Sequence, residues 1–179
     1  MTIVRRPSVS ASLLGGAIHL AARPCGHPAP RRAVPWNGAD GTAGSVAVVG
    51  AGKMGLPLAA QFASHGWETI AVDINPTVVD AINAGRSHVD EEPGLADLVT
   101  RVHGEGRLRA TLDAAQAARD ADVVVLIVPV MLDAQHRPDY RYMDPAVASI
   151  APGIHAGSTV IFETTLPIGD TRRRFAPAL

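Results

Sequence analysis

At 179 residues the chain is long enough for one domain with a real core and little more. Hydrophobic residues make up 47%, ordinary for a globular protein, and a formal net charge of -1 makes neither nucleic acid nor an anionic membrane an obvious partner. No run reaches the roughly 18 to 20 apolar residues of a membrane span, and the single cysteine, Cys25, excludes an intramolecular disulfide and argues against a thiolate zinc site.

The charge is unevenly spread. Residues 1–44 hold five arginines (Arg5, Arg6, Arg23, Arg31 and Arg32) against one acid, Asp40, a net of +4, which leaves a net of -5 for the rest. This leader is rich in proline, alanine and glycine, as in RPCGHPAPRRAVPWNGADGTAG, and is expected to be disordered because it can bury little. Three readings of it stand: a targeting segment, since Arg5 and Arg6 precede the weakly apolar VSASLLGGAIHLAA; a functional tail; or an upstream extension with no role in the fold. The last is favoured, because Ser, Gly and His dilute the apolar run and no clean cleavage site follows.

Order is expected from Ser45 onward. SVAVVG predicts a buried, valine-rich strand ended by glycine. LPLAAQFASHG has helical spacing, with Leu56, Ala59, Ala60 and Ala63 on one face and Gly66 as the stop. WETIAVD is a second strand. NPTVVDAINAG is a second helix, with Asn75 as N-cap, Pro76 at its first position and Gly85 at its end. RLRAT predicts a third strand, LDAAQAARDA a third helix and DVVVLIVP, the clearest buried strand in the chain, a fourth. After a loop come a helix in DPAVASIAPG and a fifth strand in STVIFET. There is no internal repeat. Strand and helix alternate throughout, which predicts an α/β, doubly wound parallel sheet with helices on both faces.

That context gives weight to Gly50, Gly52 and Gly55. The pattern G-x-G-x-x-G alone is a weak signal, but here it follows a buried strand and opens a helix. Gly50 would make the tight turn, Gly52 would admit a pyrophosphate to the backbone, and Gly55 would let helix and strand pack closely. The helix N-terminus then offers free N–H groups and a partial positive charge to the phosphates. The second strand ends in Asp73, 18 residues after Gly55. An acid there accepts from ribose hydroxyls and repels a 2′-phosphate, so NAD is favoured over NADP. Residues 45–179 are therefore read as a dinucleotide-binding Rossmann domain. Lys53, the only lysine, is not a phosphate-loop lysine, since G-x-x-x-x-G-K-[ST] is absent.

Two further stretches narrow the reading: VDEEPGLADLV after the second helix and VIFETTLPIGDTRRR at the fifth strand. With these the chain resembles the NAD-binding domain of the UDP-glucose/GDP-mannose dehydrogenase family, most closely its UDP-N-acetylmannosamine dehydrogenase branch. The resemblance rests on GAGKMGLP at Gly50 to Pro57, EPGL at Glu92 to Leu95, a partial match at Val128 to Met131, and ETTLPIG at Glu163 to Gly169. It covers roughly Ser45 to the C-terminus.

The resemblance implies a cytoplasmic oxidoreductase of nucleotide-sugar and polysaccharide chemistry. Such an enzyme is a homo-oligomer at full length, with a UDP-sugar substrate, no metal, and no nucleic-acid or membrane partner. It implies that NAD is held by Gly50, Ala51, Gly52, Lys53, Met54 and Gly55, by Asp73, and by Val128, Pro129 and Val130 after the fourth strand. It implies that Thr165 lies near the nicotinamide and helps hold a catalytic water. The alternative from the residues alone is that Thr165 is a hydroxyl serving the backbone at a strand end. Glu163 is read as structural. Glu92 is read as ordering its own helix start, where a carboxylate is favoured, with a cofactor contact as the alternative.

There are departures. The family's threonine after V-P is Val130 here, and its next proline is Met131, so a hydroxyl contact is lost. The loop LDAQHRPDYRYMD, with His136, Arg137, Asp139 and Arg141, is a substrate lid or simply a solvated loop. His65, His88, His103 and His155 lack ligand-like spacing. The family's cysteine nucleophile, with its lysine and asparagine, and its P-E-F-L-x-E-G element are not found in these 179 residues. Cys25 has nothing near it to lower its pKa. The expectation is thus an NAD-binding piece of a nucleotide-sugar 6-dehydrogenase, inactive alone and bare along STVIFET, where a sixth strand would pair. Another dehydrogenase family, such as the β-hydroxyacid dehydrogenases, and a non-catalytic truncated product are the alternatives.

Overall fold

Valine-rich runs with no polar side have to be covered on both faces, and the computed structural model, which describes residues 2–5 and 44–179, sets them at the centre of one sheet. Its order, edge to edge, is β1 (Thr2–Arg5), β8 (Thr159–Phe162), β5 (Val123–Leu126), β2 (Ser45–Val49), β3 (Glu68–Val72) and β4 (Leu108–Thr111). The five strands from β8 to β4 are mutually parallel. Taken in chain order they give the arrangement 3-2-1-4-5 of a dinucleotide fold, with the strand order reversing at β2.

Side chains alternate between the two faces of each strand. Val46 and Val48 point to one side, with Ala71, Val125 and Ile161, where they meet α1 (Gly55–Ser64), α2 (Pro76–Asn83) and α3 (Leu95–Gly104). Ala47 and Val49 point to the other, with Val72, Leu126 and Phe162, under α4 (Ala114–Asp120) and α5 (Met143–Ile150). Two cores, one per face, hold the sheet between helical layers.

The helix signals act as expected at several ends. The Asn75 side chain accepts from the amide of Thr77 at 3.0 Å, Pro76 opens α2, and Gly85 closes it with φ 70°. Asp113, not singled out in the sequence, caps α4 by accepting from the Gln116 amide at 2.9 Å. No helix among the described residues is long and apolar enough to cross a membrane.

Two differences concern the sheet edges. Thr2–Arg5, read above as part of the leader, form β1 and pair antiparallel with β8, Thr2 opposite Phe162 and Arg5 opposite Thr159. The edge expected to be bare therefore carries a strand, and the sheet is parallel only in its other five. Residues 6–43, with Cys25 and the remaining leader arginines, lie outside the described residues.

At the opposite edge a side chain does a strand's work. Asn83 donates from Nδ2 to the Ala110 carbonyl at 2.9 Å and accepts from the Ala110 amide at 2.7 Å, so one amide group closes the outer ladder of β4. Replacing Asn83 with alanine leaves both backbone groups unpaired and is expected to cost about 1–2 kcal/mol in a urea melt. An unchanged midpoint would show that water serves Ala110 equally well.

Candidate cofactor site

The register of the sheet sets the site's outline. Val49 stands level with Val72 and Leu126, and Leu126 with Phe162, so the segments that follow β2, β3, β5 and β8 all leave from one line. That line is the carboxyl edge of the parallel strands, beside the point where the strand order reverses, which is where open α/β sheets take ligands.

The three glycines after β2 are needed for three different reasons. Gly50 has φ 97°, and its amide donates to the Val72 carbonyl at 2.8 Å; a Cβ there would lie 2.8 Å from the Ile127 carbonyl oxygen. At Gly55 a Cβ would lie 1.7 Å from the Gly50 carbonyl oxygen, because α1 starts where it crosses the end of its own strand. Gly52 is the opposite case. It is exposed, its φ is not positive, and a Cβ there would meet no protein atom within 4 Å. The fold does not demand a glycine at 52. What its small size serves is close approach to the backbone from outside, as a pyrophosphate requires, and the loop therefore fits a dinucleotide.

Asp73 follows β3 and is half-buried. Its Oδ2 accepts from the Ala51 amide at 3.0 Å and its Oδ1 from the Asn75 amide at 2.9 Å. The carboxylate thus ties the glycine loop to the end of the neighbouring strand and stays beside it. Lys53 and Met54, the other loop residues, are exposed, and the Lys53 ammonium pairs with the Glu91 carboxylate.

Two residues escaped the sequence reading. Ile74 is 94% exposed and Leu112 55% exposed; Ile74 lies two residues past the end of β3, and Leu112 directly follows β4. Large apolar side chains left in solvent at the carboxyl edge suit the flat face of an adenine. The signal was present: an apolar residue straight after Asp73 or after the strand-ending Thr111 has no core to enter.

On the other half of the site, Val128, Pro129 and Val130 follow β5. Both valines pack partly into the core beneath, and Pro129 is exposed. Thr165 is exposed in the loop after β8, and among the described residues its hydroxyl has no hydrogen bond to protein, so it does not serve the backbone. The Glu163 amide donates to the Leu126 carbonyl at 2.9 Å, and the residue is exposed.

Glu92 is corrected in detail. Its backbone carbonyl accepts from the Leu95 amide at 3.2 Å, whereas the N-cap of α3 is Gly94, at φ 79°, with no side-chain cap. The carboxylate instead lines a groove of about 520 Å³ between α1 and α3, with Gln61, Asp97 and Arg101.

The long loop after β5 folds into a small hairpin of β6 (Met131–Leu132) and β7 (Pro138–Asp139). Asp133 organises its turn by accepting from the Arg137 amide at 2.9 Å and the Gln135 amide at 2.8 Å, and these bonds, Arg137 first, hold its carboxyl below the usual carboxylate range. His136 takes φ 57° at the turn. Arg137 pairs with Asp133 at 2.9 Å and Arg141 with Asp139 at 2.6 Å. These charges satisfy one another locally, as in a solvated loop. Among the described residues no cluster of His, Cys, Asp or Glu could hold a metal ion.

Comparison with known proteins places this geometry. Residues 44–179 match the UDP-glucose/GDP-mannose dehydrogenase family, NAD binding domain. The chain is 40% identical over 129 residues to the UDP-N-acetyl-D-mannosamine dehydrogenase of Escherichia coli K12, covering 72% of itself and 30% of that protein. Its structure is similar to that of a UDP-N-acetylmannosamine dehydrogenase from Pyrococcus horikoshii (TM-score 0.67, 32% identity, 72% of this chain and 30% of that one). It is similar also to a GDP-mannose dehydrogenase from Pseudomonas aeruginosa (TM-score 0.69, 29% identity, 74% and 31%). The chain spans about 30% of the length of the curated relatives it matches.

Proposed function

Since the chain belongs to the UDP-glucose/GDP-mannose dehydrogenase family and carries its NAD-binding domain, we propose that it serves as the cofactor-binding part of a nucleotide-sugar 6-dehydrogenase. That enzyme oxidises the C6 alcohol of a UDP-linked sugar to a carboxylate. The N-acetylmannosamine branch is favoured by the 40% identity to the enzyme of that name. The observation that carries the proposal is the pairing of an open Gly52 with an Asp73 carboxylate bonded to the neighbouring Ala51 amide.

In this reading Gly50, Ala51, Gly52, Lys53, Met54 and Gly55 receive the pyrophosphate, with the first amides of α1 aimed at it. Asp73 accepts from the adenosine ribose hydroxyls. Val128, Pro129 and Val130 floor the nicotinamide half with an apolar surface that excludes water. Thr165 presents a hydroxyl not committed to the protein and orients a water there; as a poor base near neutral pH, it positions rather than abstracts. NAD supplies the hydride acceptor. Holding the sugar and capturing its aldehyde are tasks for groups outside these residues. The setting is cytoplasmic, where the cofactor is available.

The domain is expected to bind NAD and to bind NADP at least tenfold more weakly, a difference of about 1.4 kcal/mol, because a 2′-phosphate would meet the Asp73 carboxylate. Isothermal titration with both nucleotides measures it. Equal affinities would remove Asp73 from the ribose and with it the proposed orientation of the cofactor.

A further inference from the structure

The loops that flank the nicotinamide half leave neighbouring parallel strands, β5 and β8, and the strand ladder stops at Leu126 and Phe162. Past that point something else must fix Val128–Val130 and Thr165 relative to each other. Val130 and Met131, at the end of the first loop, have no N–H or O–H in their side chains to donate, so the loop is not held by a side-chain donor from there.

A cluster beyond the hairpin joins the two loops. Tyr140, just after β7, donates its phenolic hydrogen to the carboxylate of Asp170, which directly follows Gly169 of the ETTLPIG stretch. The Tyr140 ring meets Phe175 edge-on, centroids 5.6 Å apart, and Phe175 stacks at 5.2 Å on Phe162, the last residue of β8. The Arg174 guanidinium lies 4.2 Å over the Tyr140 ring and grips Asp144 at both oxygens, at 3.0 and 2.6 Å. Val128, Val130, Tyr140 and Leu166 pack on the same core cluster, and Leu166 is the neighbour of Thr165.

We propose that Tyr140 and Asp170 are positioning residues whose hydrogen bond locks the loop after β5 to the loop bearing Thr165, and so shapes the nicotinamide half of the cofactor site. This rests on the reading of that site given above. Burial first, then the neighbouring Asp170 carboxylate, pushes the Tyr140 hydroxyl up to about 12, so it remains a donor at every pH at which the domain would work.

A tether that only stabilised the fold would change the affinity of every ligand of the site alike. A positioning pair at one end changes only the ligand that reaches that end. ADP-ribose carries the adenosine and pyrophosphate of NAD without the nicotinamide, and so separates the two cases. Titrations of the wild-type chain, Tyr140→Phe, Asp170→Ala and Asp170→Asn with NAD and with ADP-ribose make the test.

Tyr140→Phe and Asp170→Ala are expected to weaken NAD by about tenfold and ADP-ribose by less than about twofold. Asp170→Asn, which keeps an acceptor oxygen, should recover part of the NAD affinity. Parallel losses for both ligands, no loss for either, or equal wild-type affinity for NAD and ADP-ribose would each overturn the positioning role. A wild-type chain that binds neither ligand would instead overturn the cofactor reading beneath it.

Discussion

Gly52→Val is expected to weaken NAD binding more than a hundredfold, roughly 2.8 kcal/mol, while moving the thermal midpoint by no more than about 2 °C. The two halves of that expectation come from one observation. A Cβ at Gly52 would meet no protein atom within 4 Å, and the backbone there does not need a positive φ, so the folded chain has no reason to resist valine. The only thing the new side chain would strike is a group brought close to the loop from solvent. Titration calorimetry and a melting curve on the same sample read both halves. Normal binding by Gly52→Val would reduce the loop to a turn, and a large drop in the midpoint would mean that Gly52 serves the fold.

Gly55→Ala should do the reverse, with the fold failing first. Its Cβ would be placed 1.7 Å from the Gly50 carbonyl oxygen and 3.0 Å from the Ile127 side chain. Neither the oxygen nor the helix start is a flexible end that can swing aside, so α1 has to move away from β2. That movement would open the core that Leu56, Ala59, Ala60 and Ala63 make with the sheet. Overpacking of this kind costs about 3 kcal/mol or more, a large share of the 5–15 kcal/mol that holds a typical domain together. Chemical denaturation should show a loss of that size, with NAD affinity falling only as far as the folded fraction falls. A Gly55→Ala chain as stable as the wild type would show that the helix–strand crossing is not as tight as its geometry states. Two glycines three residues apart in one motif would thus fail by different routes.

Much of this was legible in the sequence, for a physical reason. The central strands are so rich in valine that burial on both faces is the only outcome, and caps such as Asn75 and Asp113 act within two or three residues of themselves. The glycine loop and Asp73 are likewise local signals, each at the end of its own strand. What stayed hidden depends on contacts distant in the chain. Asn83 looks like an ordinary helix-terminal residue until Ala110, 27 residues on, is laid beside it. Tyr140 and Asp170 are 30 residues apart, and nothing in either neighbourhood announces the other. Thr2–Arg5 sit in a stretch whose composition gives no hint of pairing, and their partner β8 is nearly the whole chain away. Glu92 misled because the charge preference at a helix start is real but weak, and here the turn through Gly94 begins α3 without it.

The lone lysine has a practical meaning of another kind. Lys53 stands exposed in the glycine loop, between β2 and α1, and its charge is met by Glu91 across the loop's mouth. To a lysine-specific protease or an amine-reactive dye, these 179 residues present a single side-chain address, and that address lies in the loop proposed as the pyrophosphate cradle. One cut there severs β1 and β2 from everything that follows them, and one dye marks the loop proposed to receive the nucleotide's phosphates. Occupancy of the site can then be followed as protection of one bond, on a gel, with no substrate and no turnover.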